Sequence, residues 1–213
     1  MNCKLITTAS DYSKTEMLRK SLDKYEWPYH IIVHEWNGFM GKISETYNYL
    51  MQNPDITHFF YSDSYDTIVL DTMENTIKKI KDFDCIIMSA ERACYPHLEK
   101  AVLYPECESP FKYVNGGGWF CNAEVFKMAV RTNNLALLND QVFFTDLYLN
   151  HPEYVKLDYN CEVFQTIAFC PDDNFRIWEM NDFDIVHNTV TKTYPTFFHG
   201  NGHTPMTEFY KLI

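Results

Sequence analysis

His58-Phe59-Phe60-Tyr61-Ser62-Asp63-Ser64-Tyr65-Asp66 sets an apolar run directly before two carboxylates three residues apart. A short apolar run bounded by polar turn residues reads as a buried strand. Its ladder ends near Ser62. A tight turn then aims Asp63 and Asp66 at one point beyond the sheet's carboxyl edge, where ligands bind in open α/β sheets. Hard cations such as Mg²⁺ and Mn²⁺ take carboxylate oxygens and accept water or phosphate in the remaining positions, so the pair suits a cation that clamps a diphosphate. Taken alone, such a hexamer is more often a strand-end turn whose aspartates cap the next helix.

The flanking sequence extends this strand into an alternating pattern. Lys4 to Thr8 reads as a first, central strand. Ser13-Lys14-Thr15-Glu16 has the capping-box form, and Met17, Leu18, Leu22 and Tyr25 recur at helical spacing until Pro28. Tyr29 to His34 is a second strand. A loop with two glycines, Trp36 to Lys42, leads into a helix with Ile43, Tyr47, Leu50 and Met51 on one face. Lys42 falls in that helix's first turn, where the dipole disfavours a cation, which hints at an anion nearby. After the opening motif, Thr72 to Lys81 reads as a helix and Asp84 to Ser89 as a strand, so the chain predicts a mostly parallel sheet with helices on its faces.

The pattern then breaks into a long loop, Ala90 to Lys112, of a length that is often functional. Gly116-Gly117-Gly118, between apolar residues, either lets another group approach the backbone or marks a bulged strand. Glu124 to Val130 is helical, and Asn139-Asp140-Gln141 opens another helix, in which Asp140 has the position of an N-cap or first-turn carboxylate. Leu157 to Phe169 reads as an irregular strand. The segment from Pro171 to Asp184 is polar, Ile185 to Asn188 is a short strand, and a brief terminal helix follows Phe197 to His203. No repeat, low-complexity tract or linker divides the chain, so 1–213 is expected to be one domain.

The totals narrow the function. At 213 residues and 46% hydrophobic, the chain can bury a full core. No apolar run approaches the ~20 residues needed to span a bilayer, and Met1-Asn2-Cys3-Lys4 lacks the regions of a secretion signal, so a cytoplasmic protein without a membrane partner is expected. Seven cysteines without a Cys-x-x-Cys pair read as reduced core thiols. A formal net charge of -11 with no basic stripe argues against a nucleic-acid partner, and makes a divalent cation more necessary if the substrate is anionic. Fifteen Tyr and 16 Phe fit an aromatic core as well as sugar or base stacking.

An ordered series of motifs resembles the glycosyltransferase domain of the procollagen lysyl hydroxylases and related collagen-type glucosyl- and galactosyltransferases. The series is Asp63-Ser64-Tyr65-Asp66, Met88-Ser89-Ala90-Glu91 with Cys94-Tyr95-Pro96, Tyr104-Pro105 and Asn115-Gly116-Gly117-Gly118. It continues with Asp140-Gln141-Val142-Phe143-Phe144-Thr145, Leu157-Asp158, Phe164-Gln165 and His199-Gly200-Asn201-Gly202. The resemblance implies an α/β GT-A fold with a mixed central sheet, in which residues of about 1–110 form the nucleotide and metal half and about 111–213 the acceptor half that closes the metal site.

It also implies the chemistry: a metal-dependent, retaining transfer of glucose or galactose from UDP-glucose or UDP-galactose to a hydroxyl acceptor, such as a hydroxylysine-linked glycan of a collagen-like chain. Asp63, Asp66 and His199 would ligate Mn²⁺, or Mg²⁺; two carboxylates and one imidazole suit Mn²⁺ better. Tyr65 would stack on uracil, Thr7 and Trp36 would line the nucleoside pocket, and Lys42 would contact phosphate. The glycine run with Asn115, Gly116 and Gly117 would let the sugar lie against backbone, and Asn201 and Gly202 would meet the donor. Asp140 and Asn139 match the acidic cluster facing the reacting sugar; Glu91, Tyr95 and Gln141 would serve the sugar or acceptor side.

Two departures stand out. The family follows His-Gly-Asn-Gly with Pro-Thr-Lys, whereas here His203-Thr204-Pro205 follows Gly202, which leaves His203, Lys42 and Lys211 as replacement cations. Asn139 stands where the family often has Asp. The lost lysine is what favours the alternative of a module that binds UDP and metal without transfer. A metal-dependent nucleotidyltransferase ranks last, because Thr8-Ala9-Ser10-Asp11 offers neither the glycine nor the basic residue expected after its first strand.

Overall fold

The computed structural model describes residues 1–133, 139–180 and 183–213. Its elements, in chain order, are β1 (Cys3–Ala9), α1 (Glu16–Lys24), β2 (Tyr29–Val33), α2 (Gly41–Gln52), β3 (His58–Ser62), β4 (Thr67–Val69), α3 (Met73–Lys79), β5 (Ile86–Glu91) and β6 (Tyr113–Asn122). There follow α4 (Ala123–Thr132), α5 (Asp140–Asn150), β7 (Val155–Leu157), β8 (Phe164–Thr166), β9 (Phe175–Met180), β10 (Phe183–Asn188), β11 (Phe197–His199) and α6 (Thr207–Tyr210). The apolar run of the opening motif is β3, ending at Ser62.

The central sheet has the order β2-β1-β3-β6-β5-β7. β1 is parallel to β2 and β3, β5 is parallel to β7, and β6 is antiparallel to both its neighbours. The mostly parallel reading therefore holds except at β6, which reverses because the long connection after β5 carries only a 3-10 turn at Leu98–Leu103 and no crossover helix. A second sheet, β4-β11-β8, and the hairpin β9-β10 complete the fold.

Alternation along β3 builds the two cores. Phe59 and Tyr61 join a cluster with Met88, Trp119, Phe126 and Phe144, while Phe60 joins one with Leu18, Phe120, Phe164 and Phe197 on the other face. Tyr61 stacks on Trp119 at 3.8 Å between ring centroids, directly behind the Asp63 turn. All seven cysteines are free thiols, five of them buried. No helix among the described residues is long and apolar enough to cross a membrane.

Several local expectations are corrected. The cap before α1 is Asp11, whose Oδ1 accepts from the backbone N–H of Ser13 at 3.0 Å and opens a 3-10 turn, Tyr12–Thr15, ahead of the α-helix. The segment 157–169 is not one strand: it holds only the last residue of β7 and, after a turn, the three residues of β8. The turn between them is gathered by Asp158, which accepts the backbone N–H groups of Glu162, Val163 and Phe164. β4 escaped notice because it is three residues directly after the aspartate turn. β9 lies in the stretch read as polar: Ile177 and Trp178, on opposite faces, are both exposed, so no one-sided alternation marks it.

Candidate active site

The aspartate turn is fixed by hydrogen bonds to backbone carbonyls from three directions. Asp63 N–H donates to Gly117 O at 2.8 Å, Ser64 Oγ donates to Thr8 O at 2.8 Å, and Gly200 N–H donates to Asp66 O at 2.7 Å. The chain then continues as β4, whose Thr67 pairs with His199 of β11. This register joins a histidine to carboxylates 133 and 136 residues away in sequence.

One ligand atom from each of Asp63, Asp66 and His199 lies within 4.8 Å of the others. His199 Nε2 is 3.4 Å from Asp66 Oδ1 and 3.7 Å from Asp63 Oδ2. Asn115 sets the imidazole: its Oδ1 accepts the Gly117 backbone N–H at 3.0 Å, so the His199 Nδ1 facing it at 3.2 Å is the donor, and Nε2 is the nitrogen turned to the carboxylates. Metal-binding histidines are oriented this way. Gly117 is required for space, because a Cβ there would stand 2.1 Å from His199 Cε1 and 2.8 Å from Asp63 Oδ2. Two carboxylates and an imidazole nitrogen converging over a side-chain-free backbone fit a divalent cation. Burial pushes the Asp66 pKa up and the His199 pKa down, but their mutual attraction outweighs both effects, so Asp66 titrates below its ordinary range and His199 above.

Beside this triad lies a second charged group. Lys42 Nζ, on the first turn of α2, is 2.8 Å from Asp63 Oδ1 and 2.7 Å from Asp140 Oδ2, and 3.4 Å from Gly116 O. Burial opposes charge on Lys42, yet Asp140 and Asp63 hold its pKa well above the ordinary lysine range. Burial raises that of Asp140, and Lys42 offsets only part of the rise. Asp140 also fills the space over Gly116, where a Cβ would meet its Oδ2 at 2.5 Å. The room that the glycine run leaves is thus occupied by His199 and Asp140, rather than being open for a sugar. β6 supplies it by a bulge, since its pairing with β5 jumps from Met88↔Trp119 to Ser89↔Asn115.

The carboxylates open on a cleft of about 530 Å³, lined also by Ser10, Trp36, Tyr65 and His203, within the size range of small-molecule sites. Tyr65 is 38% exposed, and its hydroxyl accepts the backbone N–H groups of Ser10 and Asp11, each at 2.8 Å. Trp36 is 62% exposed and packs edge-on against Phe39. Thr7, expected in the nucleoside pocket, is fully buried and donates to Ser62 O at 2.6 Å; its neighbour Thr8, on the opposite face of β1, lines the cleft instead. Lys42, expected on phosphate, is engaged by the two aspartates.

Asn139, expected in the acidic cluster, is the N-cap of α5, accepting from the backbone N–H groups of Gln141 and Val142. Glu91 is buried, and its two oxygens accept from Gln141 Nε2 at 2.6 Å and Asn201 Nδ2 at 2.7 Å. Burial raises its pKa despite these bonds. Gln141 also donates to Tyr95 O at 2.7 Å, while the Tyr95 side chain is exposed. Asn201 accepts the Ala168 N–H at 2.9 Å, so it clamps the loop below the cleft. Gly202 is exposed with φ 64°. The sequence reading missed Thr8, Ser10, His34 and Tyr210 as cleft residues. The alternation of β1 carried the signal for Thr8; nothing local marks Tyr210.

A family model described as the PLOD GT domain matches residues 36–210. Protein R699 of Acanthamoeba polyphaga mimivirus is 29% identical over 143 residues, 66% of this chain and 30% of that protein. The human multifunctional procollagen lysine hydroxylase and glycosyltransferase LH3 is 29% identical over 152 residues, 68% of this chain and 20% of its own length. The chain thus spans between a fifth and a third of the curated relatives it matches. Among solved structures, a glycosyltransferase involved in the glycosylation of the major capsid of PBCV-1 superposes with a TM-score of 0.59 over 99% of this chain and 98% of that one. At 12% identity this likeness concerns the fold alone. With 36–210 covered by the family model, the chain belongs to the PLOD GT domain family, a family of glycosyltransferase domains.

Proposed function

We propose that this domain transfers a hexose, glucose or galactose, from a UDP-sugar to a hydroxyl acceptor, using Mn²⁺, or Mg²⁺, held by Asp63, Asp66 and His199. The observation that supports it most is the convergence of those three ligand atoms within 4.8 Å at the mouth of the aromatic-lined cleft. Bound there, the cation supplies Lewis-acid charge against the developing charge of the departing diphosphate.

The chain's own residues do the rest. Tyr65, pinned through its hydroxyl, offers its ring to the uracil, with Trp36 at the rim. Asp140, held by Lys42, orients a hydroxyl of the sugar or acceptor, and Glu91 keeps Gln141 and Asn201 in register around it. In this reading, residues of about 1–110 bind nucleotide and metal, and about 111–213 complete the metal site and receive the acceptor. Family membership favours retention of configuration and a hydroxylysine-type acceptor on a collagen-like chain.

A thermal-shift screen of UDP-glucose against UDP-galactose with Mn²⁺, followed by UDP release over an acceptor panel, tests the proposal. Stabilisation by one donor with acceptor-dependent release supports it. Donor binding without release over the whole panel would favour a non-catalytic UDP and metal module, the reading suggested by the missing lysine after His-Gly-Asn-Gly.

A further inference from the structure

We propose that His203 is the side chain that contacts the donor's phosphates, since Lys42, although it lines the same cleft, is engaged by Asp63 and Asp140. The inference rests on the cleft being a nucleotide-sugar site.

Position is the first argument. His203 lies four residues after the metal-facing His199, and Gly200, His203 and Thr204 line the same cleft as Asp63 and Asp66. The Gly200 N–H bond to Asp66 O ties this loop to the aspartate turn. A diphosphate anchored at the three ligands therefore lies along the wall that carries His203.

Backbone conformation is the second. Gly202 and His203 are successive left-handed residues, with φ 64° and 60°. Glycine takes this region freely; a residue with a Cβ does so at an energetic cost, although histidine is among the side chains found there more often. The surroundings hold the turn: Thr204 N–H donates to Gly200 O at 3.1 Å, and Thr204 Oγ1 donates to Asn201 O at 2.8 Å. Strain held in this way is found at ligand-contacting positions.

Charge is the third. Among the cleft-lining residues, His34, Lys42 and His203 are those whose side chains can carry positive charge. Lys42 is engaged by Asp63 and Asp140, and His34 Nδ1 faces the Glu35 carbonyl at 2.7 Å. The exposed His203 side chain forms no hydrogen bond or ion pair with any described residue. A phosphate entering beside three aspartates is best met by a side chain that can carry positive charge, and of these three His203 is the one with no partner among the described residues.

The test is calorimetric titration of the Mn²⁺-loaded protein with UDP and, separately, with uridine, which lacks the phosphates. A lost hydrogen bond to a charged group corresponds to a roughly ten- to hundred-fold weaker affinity. His203→Ala should lose UDP affinity by about that factor while uridine affinity changes by less than about twofold. His203→Gly, which relieves the backbone, should show the same loss, and His203→Lys should recover it. His34→Ala should leave the UDP-to-uridine ratio near that of the unmodified protein. Unchanged UDP affinity in His203→Ala and His203→Gly would overturn the inference, as would an equal loss for uridine. If the unmodified protein fails to bind UDP with Mn²⁺ present, the donor-site reading falls, and the inference with it.

Discussion

Replacing Lys42 with methionine keeps the aliphatic stem and removes the charge that stands between Asp140 and Asp63. The Lys42 side chain is 12% exposed and that of Asp140 5%, so the pair is shielded from water, whereas Asp63 is 32% exposed and contributes less. Removing one partner of a buried pair strands the other charge at a cost of about 3–5 kcal/mol. For a domain of this size that corresponds to a melting point lower by roughly 6–20 °C. The assay is thermal and urea unfolding in EDTA at pH 7, on Lys42→Met, Asp140→Asn and the double variant. The double variant should be more stable than Lys42→Met, because the stranded carboxylate is gone. The sign with pH is also fixed: an acid whose folded pKa is raised stabilises the fold below its unfolded pKa and loses that contribution as pH rises through the folded value. Burial already raises Asp140, and more so without Lys42, so the deficit of Lys42→Met should shrink as pH falls toward about 4. A deficit under about 1 kcal/mol, which is what an exposed pair gives, or a double variant no better than Lys42→Met, would refute this account of the pair.

Other perturbations separate the parts of the site. Gly117→Ala, with its Cβ 2.1 Å from His199 Cε1, should displace the imidazole and abolish Mn²⁺ binding in a chain that circular dichroism shows still folded. Asn115→Leu removes the acceptor of His199 Nδ1–H and should weaken Mn²⁺ by about 10–100-fold in a calorimetric titration. Tyr65→Phe keeps the ring but loses the acceptor for Ser10 and Asp11, so UDP binding should fall only a few-fold. Tyr65→Ala should lose a further ~1–3 kcal/mol, the magnitude of base–aromatic stacking.

Much of the frame was legible because it depends on local pattern. The apolar run before Asp63 had to be buried, the spacing of Ile43, Tyr47 and Leu50 had to be helical, and Lys42 at a helix start pointed to negative charge. That charge proved to be two of the protein's own aspartates rather than phosphate alone, a distinction only tertiary contact could make. Family resemblance groups Asp63, Asp66 and His199 as candidate metal ligands, and the structure brings them together through one strand register, Thr67↔His199. What escaped the sequence depends on facing direction and long-range contact. Thr7 and Thr8 differ only in which side of β1 they occupy, and Asn139 is indistinguishable in sequence from a cluster residue until its side chain is seen capping α5. The glycine run reads either as close approach of another group or as a bulged strand; β6 is bulged there, and the groups that approach it, Asp140 and His199, come from distant segments.

The proposed role of Asp63, Asp66 and His199 as the metal centre of UDP-sugar turnover is tested by UDP release from UDP-glucose and UDP-galactose with and without Mn²⁺, in the unmodified chain and in Asp66→Ala. The account predicts release that requires Mn²⁺, is removed by EDTA and is lost in Asp66→Ala while the fold persists; Mn²⁺-independent release, or full activity in Asp66→Ala, would contradict it.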